Sequence, residues 1–246
     1  MVHAQRKSTD AFGRALLAWA EGDLDPEIVE RDDGLIELGA GPRGYQAPFR
    51  EWPLAERQSL RYVRGRVGDI GCGSGRLSLH LQTRRPVVGV DSSRLALRAA
   101  RVRGVQHVLR AAVTNLAEHV AAFDTLVLFG NNLGMFGTPR VAVQVLTQWH
   151  ARAQEGTRVL IESTSPHGGG APVLDRQYVQ HNRAQGRLPG QCTMRVWFDR
   201  ESTDWFPWFF MTESELRALV EDTPWTVGEV WSSSPREPFV IGLEKA

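Results

Sequence analysis

The sequence predicts an α/β fold: a three-layer arrangement with a mostly parallel sheet between helices and one antiparallel strand near the C-terminus. Three observations carry that expectation. A strand, a glycine-rich turn, a helix and a second strand follow one another within residues 67–91. Short apolar runs then alternate with helical spacings as far as about Leu160, and two β-like runs close the chain. At 246 residues the chain has room for one such domain with additions. We divide it into an N-terminal helical lid segment (1–64) and a core (65–246), with an insertion at about 163–210.

In chain order, residues 1–10 are polar. Phe12, Leu16, Trp19 and Ala20 fall at helical spacing and predict a helix over 11–21 with one apolar face. Residues 22–34 are acidic, contain Pro26, and read as a loop or short helix. Residues 35–52 mix glycine, proline and aromatics, and 53–62 read as a helix that leads into the first core strand. That strand ends at Asp69, and Gly71, Gly73 and Gly75 follow at alternate positions. Such a turn lets a nucleotide lie against backbone at the carboxyl edge of the sheet. Asp91 closes the second strand 16 residues beyond Gly75, near the offset at which a carboxylate reaches ribose hydroxyls. A dinucleotide site would read G-x-G-x-x-G with its pyrophosphate at the helix N-terminus; here Arg76 stands where the last glycine belongs.

A crossover helix is expected over 92–103, with Ser92 or Ser93 as its cap and Gly104 as its stop. The third strand follows over 105–112. Residues 123–129 form an apolar run suited to a central parallel strand. It enters Gly130-Asn131-Asn132-Leu133-Gly134, where amides could hold a neutral polar group by donor and acceptor together, or simply tolerate a left-handed turn. A helix over 139–153 and a strand over 157–162 complete the parallel part. The insertion then brings His167, His181, Asn182, a β-like run over 192–198 and the aromatic stretch 204–210. Thr212 and Glu215 make a capping box for a helix, and 225–232 pairs with 238–244 as a terminal hairpin.

The run from Asp69 to Gly75 resembles the first motif of class I S-adenosylmethionine-dependent methyltransferases, and Val88-Gly89-Val90-Asp91 resembles their second. The resemblance extends from about Gly65 to Leu160 as a Rossmann-like core, and more loosely to the C-terminus. It implies S-adenosylmethionine as cofactor, S-adenosylhomocysteine as product, and a small-molecule or peptide acceptor methylated on nitrogen or oxygen. The implied cofactor contacts are Asp69, Gly71, Cys72, Gly73, Gly75, Asp91, Ser92, Asn115 and Gly130. Tyr45 joins them from the segment that often folds over the cofactor in this family, where Phe49 and Trp52 are the other lid candidates. The chain departs from the family where many members place an acid on the adenine amino group. Ala111-Ala112-Val113-Thr114-Asn115 leaves Thr114, Asn115 or backbone for that role. The prolines that follow the junction asparagine in enzymes acting on amides or nucleobases are also missing.

Methyl transfer from a sulfonium needs alignment and exclusion of water more than it needs a base. The absence of an obvious catalytic dyad is therefore expected. Asn131, His167 and His181 are the candidate catalytic residues, the histidines because they titrate near neutrality within the insertion. Aromatics between Trp197 and Phe210, Trp205 among them, are expected to wall the acceptor pocket. Two other readings share this fold: a catalytically silent protein binding S-adenosylmethionine or its product, and a nicotinamide-dependent oxidoreductase, which the glycine pattern disfavours.

Composition narrows the partners. A net charge of +1 argues against a dedicated nucleic-acid binder. No apolar run approaches the roughly 20 residues of a membrane span, and MVHAQRKSTD lacks the apolar segment of a signal peptide. Two cysteines make no disulfide framework, so a cytoplasmic setting is expected. No spacing of histidine, cysteine and acids suggests a metal, and the oligomeric state stays open.

Overall fold

A computed structural model describes residues 9–166, 174, 176–235 and 237–246. The N-terminal part contains α1 (Ala11–Ala20), β1 (Ile28–Arg31), β2 (Ile36–Leu38), α2 (Gly41–Tyr45) and α3 (Leu54–Ser59). The core continues through β3 (Val67–Ile70), α4 (Arg76–Leu81), β4 (Val87–Asp91), α5 (Arg94–Val102) and β5 (Val108–Arg110). Then come β6 (Thr125–Leu128), α6 (Pro139–Arg152) and β7 (Arg158–Ser163). The remainder holds α7 (Arg176–Ala184), β8 (Gln191–Phe198), β9 (Glu201–Ser202), β10 (Phe206–Phe209), α8 (Glu213–Glu221), β11 (Thr226–Trp231) and β12 (Phe239–Glu244).

Local chemistry explains where the helices start. Asp10 accepts from Gly13 N at 3.1 Å to cap α1, and Ser93 accepts from Ala96 N at 2.9 Å to cap α5. Thr212 and Glu215 form the expected capping box of α8.

The main sheet has seven strands in the order β11-β12-β7-β6-β3-β4-β5. Strands β5, β4, β3, β6 and β7 are mutually parallel, whereas β12 pairs antiparallel with both β7 and β11. The chain steps outward from β3 to β5, then crosses back to β6, so the order reverses between β3 and β6. Ligands of open α/β sheets bind at the carboxyl side of that reversal. Alternate residues of the parallel strands enter two cores. Leu126, Leu128 and Ile161 pack with Trp149 and Leu216, while Val127 and Leu160 pack with Trp52, Leu77 and Tyr62. Burial on both faces is what the near-continuous apolar runs of these strands require.

A second sheet, ordered β10-β8-β1-β2 with β9 beside β8, joins the N-terminal segment to the insertion. Here the expected loop or short helix over 22–34 is corrected: part of it is strand. Ile28 pairs with Trp197 and Val29 with Val196, so the partner that makes this stretch a strand lies far away in sequence. Along β8, Cys192, Met194, Val196 and Phe198 are buried, while the residues between them are half-exposed. The buried face carries α7 through Tyr178 and Val179, and α1 through Leu16 and Trp19. Among the described residues no helix is long and apolar enough to cross a membrane.

Candidate functional site

The glycine turn is built by backbone geometry and one carboxylate. Gly71, Gly73 and Gly75 have φ of 72°, 53° and 84°, in the left-handed region that a Cβ disfavours. Two of the three are also sterically confined by the protein. A Cβ on Gly71 would lie 2.5 Å from Asn132 Nδ2, and one on Gly75 would run into Val105 Cγ2. Among the described residues, a Cβ on Gly73 would meet only Leu16, at 3.6 Å. The demand for glycine at position 73 therefore comes from its dihedrals and from whatever lies against the turn.

Asp91 holds that turn open. Its Oδ2 accepts from Gly73 N at 3.0 Å and its Oδ1 from Ser93 N at 2.9 Å, which leaves lone pairs on both oxygens for hydroxyl donors. Burial pushes the carboxyl up and the two backbone N–H groups pull it back. Asp69 acts differently. It is buried, accepts from Ser78 N at 3.0 Å and Ser78 Oγ at 2.7 Å, and fastens α4 to β3 behind the turn; burial raises it to about 6. Cys72 is buried too, its thiol pushed up by burial, and its sulfur fills the space over Gly89. Ser92 and Asn115 are exposed; the Ser92 carbonyl accepts from Arg110 Nε at 3.1 Å. Gly130, just after β6, has φ 72°, and among the described residues nothing lies within 4 Å of a Cβ position there.

Residues 67–156 match the family model described as a methyltransferase domain. Solved structures agree in fold. A SAM-dependent methyltransferase from Bacteroides fragilis, solved with S-adenosyl-L-homocysteine, superposes with TM-score 0.77 at 20% identity, covering 96% of this chain and 95% of that one. One from Clostridium acetobutylicum gives 0.60 at 11% identity, with 82% and 95% covered, and one from Methanosarcina mazei gives 0.59 at 21%, with 75% and 95%. Among curated proteins, sequence comparison finds no match.

Around the glycine turn, the N-terminal segment forms a wall. Leu16 of α1 lies over Gly73, and Asp10 accepts from Ser93 Oγ at 2.6 Å. The Tyr45 ring stacks on Trp19, 5.5 Å between centroids and 14° between planes, with its edge against Phe12. Tyr45 thus stands on the same side as α1. Phe49 and Trp52 do not. Phe49 stacks on His80 at 4.1 Å, and Trp52 is buried against α4 under the Arg76 guanidinium at 4.5 Å, so both belong to the packing of α4.

Two of the three catalytic candidates, Asn131 and His181, lie among the described residues. Asn131 has left-handed φ of 56°, yet its amide is engaged internally. Nδ2 donates to Phe209 O and Oδ1 accepts from Ser163 Oγ, both at 3.1 Å. Its neighbour Asn132 donates to Ile70 O at 2.8 Å and Gly71 O at 2.9 Å, tying the end of β6 to the glycine turn. Both amides thus have protein partners that brace the end of β6 from within. His181 lies on the exposed face of α7, whose buried face packs on the second sheet, and His167 falls outside the described residues.

The aromatic stretch divides by strand alternation. Trp208 packs onto Gly134, just beyond the Asn131 junction, and Phe209 is fully buried in the main core. Trp205 is 42% exposed and faces the other way, sandwiching the Arg195 guanidinium with Trp197. Of the expected wall residues, Trp208 thus lies by the end of β6 and Trp205 does not. Sequence reasoning did not anticipate one further cluster at this edge, Glu56, Arg76 and Glu162. Its only local signal was an acid at the end of an apolar strand.

Proposed function

We propose that the protein transfers the methyl group of S-adenosylmethionine to a nitrogen or oxygen of a small-molecule or peptide acceptor. The observation that supports this best is the Asp91 carboxylate. It is held by Gly73 N and Ser93 N while both oxygens keep capacity for ribose hydroxyls. On this reading Gly71 to Gly75 lie along the methionine portion, Tyr45 closes the α1 side, and Ser92 and Asn115 stand at the adenosine end. The sulfonium supplies an activated methyl group. The residues of this chain bind the donor, align the acceptor and exclude water. A nicotinamide cofactor fits less well, because Arg76 replaces the glycine that a pyrophosphate turn needs. Calorimetry with S-adenosylhomocysteine and with NAD separates the two readings: saturable binding of the first alone is expected, and the reverse would end the proposal. Methyl transfer to some member of an acceptor panel separates an enzyme from a silent binder.

The acceptor is proposed to sit beside the carboxyl edge near Gly130, where Trp208 of the second sheet packs onto Gly134. Trp208→Ala is expected to lower kcat/KM about 10-fold or more while S-adenosylhomocysteine affinity stays within about 3-fold. Trp205→Ala, on the opposite face, is expected to change neither. Equal losses in both variants would move the acceptor site elsewhere.

A further inference from the structure

One buried cluster beside the methyl-transfer edge has no part in the reading above. Glu162, at the end of β7, and Glu56, on α3, are 3% and 1% exposed, and their carboxyl groups meet. Glu56 Oε1 accepts from Arg76 Nη2 at 2.7 Å, and Arg76 is the first residue of α4, directly after the glycine turn. Glu162 Oε2 accepts the Gly130 N–H, and the Asn131 N–H at 3.3 Å. Glu56 Oε2 is buried and receives no N–H or O–H from any other described residue. Two carboxylates against one guanidinium would leave a net negative charge in a dry seam, which low dielectric penalises heavily. A single proton held between the two carboxyl groups removes both the excess charge and the orphaned acceptor.

We infer that Glu56 and Glu162 share one proton and, with Arg76, form a positioning lock that couples the N-terminal segment to the Gly130–Asn131 junction. The lock rests on the proposed methyl-donor site, because that junction flanks it. Each group has a role set by its element. From α3, Glu56 joins the pair; from α4, Arg76 balances it; from β3, Asp69 lies within reach of the Arg76 charge; from β6, the junction presents N–H donors; and from β12, Val240 opposite Glu162 is apolar. Burial first, and the Glu56 charge second, push Glu162 up to about 8. Above that pH the proton leaves, the carboxylates repel across the seam, and the hold on Gly130 loosens.

The test compares wild type, Glu162→Gln and Glu56→Gln. In Glu162→Gln the amide donates permanently to Glu56 while its carbonyl still accepts from Gly130. S-adenosylhomocysteine affinity of the wild type is expected to fall about 10-fold more than that of either Gln variant between about pH 7 and about pH 9.5. Near neutrality the Gln variants should bind within about 3-fold of wild type. Titration of the ligand's own ammonium group is common to all three proteins, so the difference isolates the pair. Identical alkaline losses in wild type and Glu162→Gln overturn the lock.

Stability gives a readout independent of the ligand. The folded state retains a proton that the unfolded chain has already lost, from about pH 4.5 up to about 8, so wild-type stability falls relative to Glu162→Gln across that window and levels off above it. Should S-adenosylhomocysteine bind at no pH, the functional reading fails. Thermal unfolding then judges the lock alone: a wild-type-minus-variant difference that is flat with pH overturns it.

Discussion

Replacing Asp91 with alanine is expected to weaken S-adenosylhomocysteine binding by about 2 kcal/mol or more, roughly 30-fold. The loss has two sources. The carboxylate provides charge-assisted acceptors for ribose hydroxyls, and the same carboxylate accepts from Gly73 N and Ser93 N. Without it, the turn loses its tether and two backbone donors lose their partner. Burial raises the Asp91 carboxyl in the folded chain, so removing it also relieves a desolvation cost. The variant should consequently remain folded while it binds poorly. Unchanged affinity by calorimetry would remove Asp91 from the cofactor site.

Gly73→Val is expected to reduce binding below detection in a protein that still folds. A β-branched residue at φ 53° costs roughly 1–2 kcal/mol, but among the described residues the only atoms near its Cβ belong to Leu16, at ordinary van der Waals distance. Gly71→Val should behave differently. Its side chain would drive into Asn132 Nδ2 and Met135 Cε, breaking the link between β6 and the turn. The paired outcome, a native circular-dichroism spectrum and lost binding for Gly73→Val against a large drop in Tm for Gly71→Val, separates a glycine demanded by the ligand from one demanded by the fold. Normal binding by Gly73→Val would show that the methionine portion does not lie against this turn.

Much of the parallel core is legible locally. The strand at Thr125–Leu128 is a short apolar run that leads to Gly130, and Val67–Ile70 leads straight into the glycine turn, so period and punctuation suffice to place them. Asp91 and the alternating glycines are legible for the same reason, because their spacing within one strand–turn–helix–strand unit fixes their geometry before any distant contact forms. The capping box of α8 depends on only four consecutive residues.

Tertiary structure alone decided the rest. Ile28–Arg31 is a strand because β8, more than 160 residues later, offers it a partner edge; Ile28 and Val29 suit a strand, but two such residues within an acidic stretch that contains Pro26 do not specify one. Asn131 looked free to meet a ligand, yet Phe209 O and Ser163 Oγ arrive from two other segments to engage its amide, since a buried polar group must find partners. Trp205 and Trp208 are three residues apart with the same chemistry, and only their placement around β10 sends one onto Gly134 and the other toward Arg195 and solvent. Glu56, Arg76 and Glu162 come from three separate elements. Composition and spacing report what a residue can do, whereas burial and partnership, which decide what it does, arise only when distant segments meet.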